Sequence, residues 1–164
     1  LGTVGRLLLS ELTPLVNAQL GVIYQMEAEE GAPCLKALSA YADDGECRHT
    51  PRIPVGQGLI GQCAADKRRL LITQMPPNVA PIGSALFKVP PQNVIVLPVL
   101  FENQVKAVIE LATVSAFTKL QMTFLEQLTA SVGIVLNSIE ATMQTEGLLK
   151  QSQQLAGELQ AQQR

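Results

Sequence analysis

The chain has 164 residues, of which 47% are hydrophobic and 16% charged, a balance that suits one domain with a sizeable core and excludes an unfolded chain. A formal charge of −2 leaves no electrostatic footprint for nucleic acid or an anionic membrane surface, so neither is expected as a partner. No run approaches the roughly 18 apolar residues a membrane span needs, and the opening Leu1-Gly2-Thr3-Val4 lacks the basic start and cleavage pattern of a signal peptide. The absent initiator Met is read as a piece cut from a longer protein. Cys34, Cys47 and Cys63 cannot all pair with one another and show no CxxC spacing, which predicts free thiols in the cytoplasm and is compatible with a parent anchored in a membrane elsewhere.

Residues 1–16 carry Val4, Leu7, Leu8, Leu12 and Leu15 at helical spacing, with Pro14 expected to kink or end the helix. Residues 18–26 read as a strand, Glu29 to Pro33 as a turn, and 34–42 as a second strand. In that strand Leu35, Ala37, Ser39 and Tyr41 alternate against Lys36, Leu38 and Ala40. Asp43-Asp44-Gly45 closes the hairpin. The segment from Arg52 to Ala65 holds Pro54, Gly56, Gly58 and Gly61, read as a loop, and then Leu59, Ile60, Cys63 and Ala64 at helical spacing. A short strand is expected at 70–73, then a proline-rich loop. Two long apolar strands follow at 93–101 and 105–113, joined by Glu102-Asn103-Gln104 and therefore antiparallel neighbours.

All ten prolines lie between Pro14 and Pro98, the last aromatic is Phe124, and six of the last twenty residues are Gln. From about Thr118 the chain can therefore run as unbroken helix, roughly 69 Å long if it reaches the C-terminus. Its first half shows an apolar stripe at Leu125, Leu128, Val132, Val135 and Ile139, and its second half shows Leu148, Leu155 and Leu159. The two stripes face nearly opposite ways. The first is expected to cover the sheet and the second to meet a partner helix, which predicts a homodimer through the terminal helices.

The order of these elements, together with four segments, resembles a GAF domain. Ile53-Pro54-Val55-Gly56-Gln57-Gly58-Leu59-Ile60-Gly61 looks like the family's "lplGeGlaG" loop, and Val94-Ile95-Val96-Leu97-Pro98-Val99 its "sllavPl" strand. Lys106-Ala107-Val108-Ile109-Glu110-Leu111 looks like "lGvLel", and Ala116-Phe117-Thr118 like the "pFt" that opens the last helix. The strands from Leu97 to Ala112, and Gly133 to Ala141 running on to Ser152, look more narrowly like the GAF domain of bacterial hybrid sensor histidine kinases. The resemblance implies an α+β fold, with an antiparallel sheet of five to six strands, helices on one face, and long N- and C-terminal helices. It implies a sensory domain over 1–146 and the start of a coiled-coil connector over 147–164. Such a domain belongs to a two-component phosphorelay, and the dimeric helix, with Leu148, Leu155 and Leu159 in its seam, carries the signal.

The same resemblance implies a noncovalent small-molecule pocket between the sheet and the loop-plus-helix layer, involving Tyr41, Ile60, Cys63, Phe87, Val96 and Pro98. It names no ligand, and a closed apolar core accounts for the same residues. Other GAF chemistries lose their carriers here. The Asn-Lys pair of cyclic-nucleotide sites is replaced by Thr113-Val114, and its Asp-Glu by Gln121-Met122, with only Phe117 kept. No Cys or His lies between Gln74 and Asn93 to hold a bilin covalently. His49 is the sole histidine and reads as a solvated loop residue, so no metal site is expected. The rival enzymatic reading is a thiol-dependent free methionine sulfoxide reductase, whose loop Cys is replaced by Ile60 and whose strand thiol is missing from Val94 to Leu97. Cys34 and Cys63 read as buried inert thiols, and Lys67-Arg68-Arg69 as a solvated helix end. The remaining alternative is a dimerisation spacer without ligand. The chain carries no phosphoacceptor His segment or nucleotide box, so no catalysis is expected of it.

Overall fold

A computed structural model describes residues 2–27, 33–42, 52–74, 82–86 and 88–162. Helix α1 (Gly2–Leu15) runs through Pro14 and stops just beyond it. Asn17 takes a left-handed conformation, its N–H bonded to the Pro14 carbonyl at 3.0 Å, and the Ala18 N–H reaches the Thr13 carbonyl at 2.9 Å. That pair of bonds is a Schellman cap, in which Asn serves where Gly is commonest. The terminator is therefore Asn17; the Pro14 ring sits within the final turn.

Among the described residues, six strands form one antiparallel sheet: β1 (Leu20–Glu27), β2 (Cys34–Tyr41), β3 (Arg52–Pro54), β4 (Leu70–Ile72), β7 (Asn93–Phe101) and β8 (Gln104–Thr113). Their order is β3-β2-β1-β8-β7-β4. A separate ribbon pairs β5 (Ile82–Gly83) with β6 (Lys88–Val89). The β7–β8 hairpin turns through Glu102 and Asn103, both at positive φ, the conformation a two-residue type I′ turn requires. Helix α2 (Gly58–Asp66) follows β3, and α3 (Lys119–Gln162) closes the chain. Thr118 and Gln121 cap α3 reciprocally: each backbone N–H donates to the other's side-chain oxygen, at 2.9 and 3.1 Å.

Alternation along the central strands separates two cores. Ile95, Leu97 and Val99 of β7, with Ile109 and Leu111 of β8, pack against α1 and α3 through Leu9, Leu12, Leu125, Val132 and Leu136. Val94, Val96 and Val108 point the other way, onto Cys63 and Ala64 of α2. The two long helices thus share one face of the sheet and the short α2 lies on the opposite one. Full burial of each Ile or Leu in these layers contributes about 1.5–3 kcal/mol.

Two patterns differ from the sequence expectation. In β2 the pairing jumps from Ile23↔Ser39 to Tyr24↔Ala37, so Leu38 is an extra, bulged residue. The bulge reverses the alternation beyond it: Leu35 and Ala37 face α2, whereas Leu38 and Tyr41 join the α1–α3 core. In α3 the buried stripe runs Leu125, Thr129, Val132, Leu136, while Val135 is exposed and Ile139 half-buried. Gly133 is buried too, its backbone close against the Leu100 carbonyl, so the face turned to the sheet runs through Val132, Gly133 and Leu136 and leaves Val135 outside. The expected turn at 29–33 and the one at 43–45 lie wholly or mostly outside the described residues, as do Cys47 and His49.

Candidate functional site: a cleft between α2 and the sheet

The loop before α2 is shaped by its glycines. Gly56 and Gly58 sit at φ +93° and +63°, which L-residues rarely adopt, so the G-x-G spacing is a backbone requirement. The Gly56 N–H donates to the Gly61 carbonyl at 2.8 Å and the Gln57 N–H to the Pro54 carbonyl at 3.1 Å. A Cβ on Gly61 would lie 2.6 Å from the Pro54 carbonyl oxygen, so α2 starts with its backbone against the end of β3. At its other end Lys67 takes the left-handed capping position, its N–H bonded to the Cys63 carbonyl at 2.8 Å. The Lys67 ammonium donates to the Asn103 carbonyl at 2.7 Å, tying α2 to the β7–β8 turn.

Between the first turn of α2, β3 and the sheet lies a cleft of about 360 Å³. Its walls are Ile53 and Pro54 from β3 and Leu59 and Ile60 from α2; its charged groups are Arg52 and Glu110. Glu110 sits in β8 between the fully buried Ile109 and Leu111, opposite Val22 of β1 and Val96 of β7. The pleat sends Ile109 and Leu111 to the terminal helices and so turns Glu110 towards α2. Burial pushes its carboxyl above the ordinary carboxylate range. Among the described residues no hydrogen bond or ion pair reaches it. Arg52, in contrast, lies 3.8 Å from Glu27, which Lys36 also approaches at 3.8 Å.

Of the residues expected to line a pocket, Ile60 lines this cleft, and Cys63 and Val96 form the closed core beside it. Tyr41 does not come near: the Leu38 bulge packs it on the α1–α3 side. Pro98 lines a second groove of about 490 Å³ at the sheet's edge, between Lys67-Arg68-Arg69 and α3. There Arg69 pairs with Glu126 at 2.8 Å, so this larger groove is bordered by cations that already have partners in Lys67 and Arg69. Phe87 lies outside the described residues. The residue the sequence reading passed over as a site is Glu110, quoted only inside a strand motif. Its signal was available: it is the one charged residue between Ala107 and Thr113.

Cys63 is fully buried, and its thiol donates to the Arg68 carbonyl at 3.2 Å. Burial, with the nearby Asp66 charge adding, pushes the thiol up to about 12, so the nucleophilic thiolate is suppressed. Cys34 is half-buried on β2. Among the described residues no group of three or more His, Cys, Asp or Glu side chains could hold a metal ion, and no helix is long and apolar enough to cross a membrane.

The GAF domain family model matches residues 1–137. The chain belongs to the GAF domain family. No protein of curated function matches it in sequence. Solved structures similar to it include the GAF domain of a phosphoenolpyruvate-protein phosphotransferase from Acinetobacter, with a TM-score of 0.67 and 12% identity over 85% of this chain and 84% of that one. The GAF domain of a two-component sensor histidine kinase from Bacillus halodurans gives 0.62 and 16% over 82% and 92%. A type II free methionine-R-sulfoxide reductase from Thermoplasma acidophilum gives 0.62 and 14% over 83% and 92%. These likenesses establish the GAF fold, which occurs in proteins of three unlike kinds.

Proposed function

We propose that this GAF domain is a sensory module of a two-component signalling protein, a histidine kinase or hybrid, and that it passes its signal through a homodimeric α3. The observation that carries the reading is the outward face of α3. Leu120, Ile134, Leu148 and Leu155 are all exposed and are spaced by multiples of seven residues, with Phe124 and Leu159 on the alternate positions of the same heptad frame. The same frame would carry the seam expected at Leu148, Leu155 and Leu159 back along the domain, with polar Gln127, Ser131, Ser138, Thr145 and Ser152 between its apolar positions. A seven-residue period is the repeat that a supercoiled partner helix covers, and a second copy of α3 presents the matching phase. Leu7 and Leu15 of α1 are exposed as well and would extend the same contact.

In this reading the chain itself catalyses nothing. Phosphoryl transfer to His and then Asp belongs to the parent protein, in the cytoplasm, and the cleft beside α2 takes a noncovalent small molecule. The GAF domain of the Bacillus halodurans histidine kinase supports the two-component context. Sedimentation equilibrium tests the dimer: the full chain is expected as a dimer, and deletion of residues 146–164 is expected to weaken association. A strict monomer, unchanged by that deletion, refutes the reading. The reductase neighbour keeps the enzymatic alternative in play. It predicts turnover of free methionine sulfoxide that disappears in Cys47→Ser; the suppressed Cys63 thiol argues against it.

A further inference from the structure

Glu110 occupies a place where a carboxylate has no structural use. Its strand neighbours on either side are fully buried and its cross-strand partners are Val22 and Val96, so an aliphatic side chain would continue the α2-side core without interruption. A carboxyl group there stands against desolvation without a hydrogen bond from the described residues, an arrangement that destabilises the fold. What it faces is not closed protein but the cleft of about 360 Å³, within the size range of small-molecule sites. The other charge in the cleft, Arg52, has Glu27 beside it at 3.8 Å. The cleft thus offers apolar walls, at Ile53, Pro54, Leu59 and Ile60, and one half-buried carboxylate, on Glu110, for which the described residues supply no counter-ion.

The geometry points to a small organic amine as the ligand class: an ammonium group paired with the Glu110 carboxylate, with a short apolar body against Leu59 and Ile60. This rests on the sensory reading above and specifies what its cleft detects. A cation delivered into that site pairs with a carboxylate that no described residue engages, and a charge-assisted hydrogen bond is roughly twice as strong as a neutral one. A carboxylate ligand would meet Glu110 as a like charge, and a neutral alcohol would leave the charge unmatched.

The test titrates the 164-residue chain with 3-methylbutylamine, 3-methylbutanol and 3-methylbutanoate, one hydrocarbon body with three head groups, followed by amide chemical shifts and calorimetry. The amine is expected to shift Gly58, Leu59, Ile60 and Glu110 and to bind at least tenfold tighter than the other two. Glu110→Gln is expected to weaken amine binding roughly ten- to hundredfold, the usual loss for a hydrogen bond to a charged group. Gln has the shape of the protonated Glu, so this variant keeps the fold; Ile60→Trp, which fills the cleft from α2, is expected to block the amine independently. Amine affinity unchanged in Glu110→Gln, alcohol or acid binding as tightly as the amine, or no amine-induced shift in the cleft each overturns the proposal. Sedimentation of the same samples separates this from the sensory reading: a persistent dimer that binds the alcohol or acid in the cleft loses only the ligand class, whereas a strict monomer loses the signalling helix.

Discussion

Gly133 of α3 lies where the helix backbone meets the sheet, and replacing it with Ala tests how closely the two are held. A Cβ at this position would overlap the Leu100 carbonyl oxygen of β7 and stand 3.0 Å from its carbon. The obstacle is backbone rather than a flexible side chain, so relief requires α3 to move off β7 by about 1 Å, the shift that restores an ordinary C···O contact. A gap of that size forfeits about a quarter to a half of the dispersion wells. The contacts at risk are those of Val132 and Leu136 with the β7 side chains of the same core. Overpacking of this kind costs about 1–3 kcal/mol, and the better helix propensity of Ala returns about 1 kcal/mol. The net expectation for Gly133→Ala is a loss of up to about 2 kcal/mol, or up to roughly 8 °C in Tm for a domain of this size. Gly147→Ala is the internal control. It makes the same substitution in the same helix with nothing within 4 Å, so only the propensity gain remains. Thermal unfolding followed by circular dichroism at one fixed protein concentration reads both, since dimerisation would otherwise shift Tm. Gly133→Ala melting as high as Gly147→Ala would show that α3 is not seated on the Leu100 carbonyl.

Three further outcomes follow from the same contacts. Alkylation of the native protein at pH 8, read by peptide mass spectrometry, is expected to label half-buried Cys34 well before Cys63, whose thiol burial pushes up to about 12; early Cys63 labelling would contradict the closed α2 core. Glu110 has a higher pKa folded than unfolded, so its contribution is most favourable at low pH and is lost as pH rises from the ordinary value of 4.5 through the raised one. The cleft's other charged group is Arg52, and the flanking strand residues Val22 and Val96 are apolar, so Glu110→Gln should flatten that segment of the Tm–pH curve; parallel curves for the two proteins would refute the burial. Arg69 and Glu126 are both substantially exposed, so a double-mutant cycle with Ala at each is expected to give a coupling of at most about 1 kcal/mol.

The parts of the fold that were legible in the sequence are those written by local rules. The boundaries 93–101 and 105–113 fall within one residue of β7 and β8, because a continuous apolar run ends abruptly at Glu102-Asn103, a pair able to take positive φ. The start of α3 follows from the Thr118–Gln121 capping pair. What was not legible depends on partners distant in sequence. β3 is three residues long and exists only through its pairing with β2, and the ribbon of β5 and β6 is shorter still. The bulge at Leu38 is invisible to a period-2 reading, since it is defined by the jump in β1 pairing, and it alone moved Tyr41 to the wrong side of the sheet. Val135 was placed in the buried stripe because spacing permits steps of three or four; α3 takes the step of four from Val132 to Leu136, with Gly133 against the Leu100 carbonyl, a contact distant in sequence.

The cleft and α3 lie on opposite faces of one sheet, which constrains how the first could act on the second. Three polar links surround the path: Lys67 to the Asn103 carbonyl, Arg69 to Glu126, and Lys106 of β8 to Glu140 at 3.2 Å. The two ion pairs reach α3, yet each involves a substantially exposed carboxylate, and such pairs yield readily to solvent and salt. The stiffer link is steric. Strand β8 presents Glu110 to the cleft and Ile109 and Leu111 to the helical core, and it is hydrogen-bonded along its length to β7, whose Leu100 carbonyl abuts Gly133. Close-packed layers rearrange between discrete arrangements rather than compressing. Within the sensory reading, a ligand that shifted Glu110 by a fraction of an ångström would therefore reach α3 through the β7–β8 hairpin and the seat at Gly133 and not through the surface ion pairs.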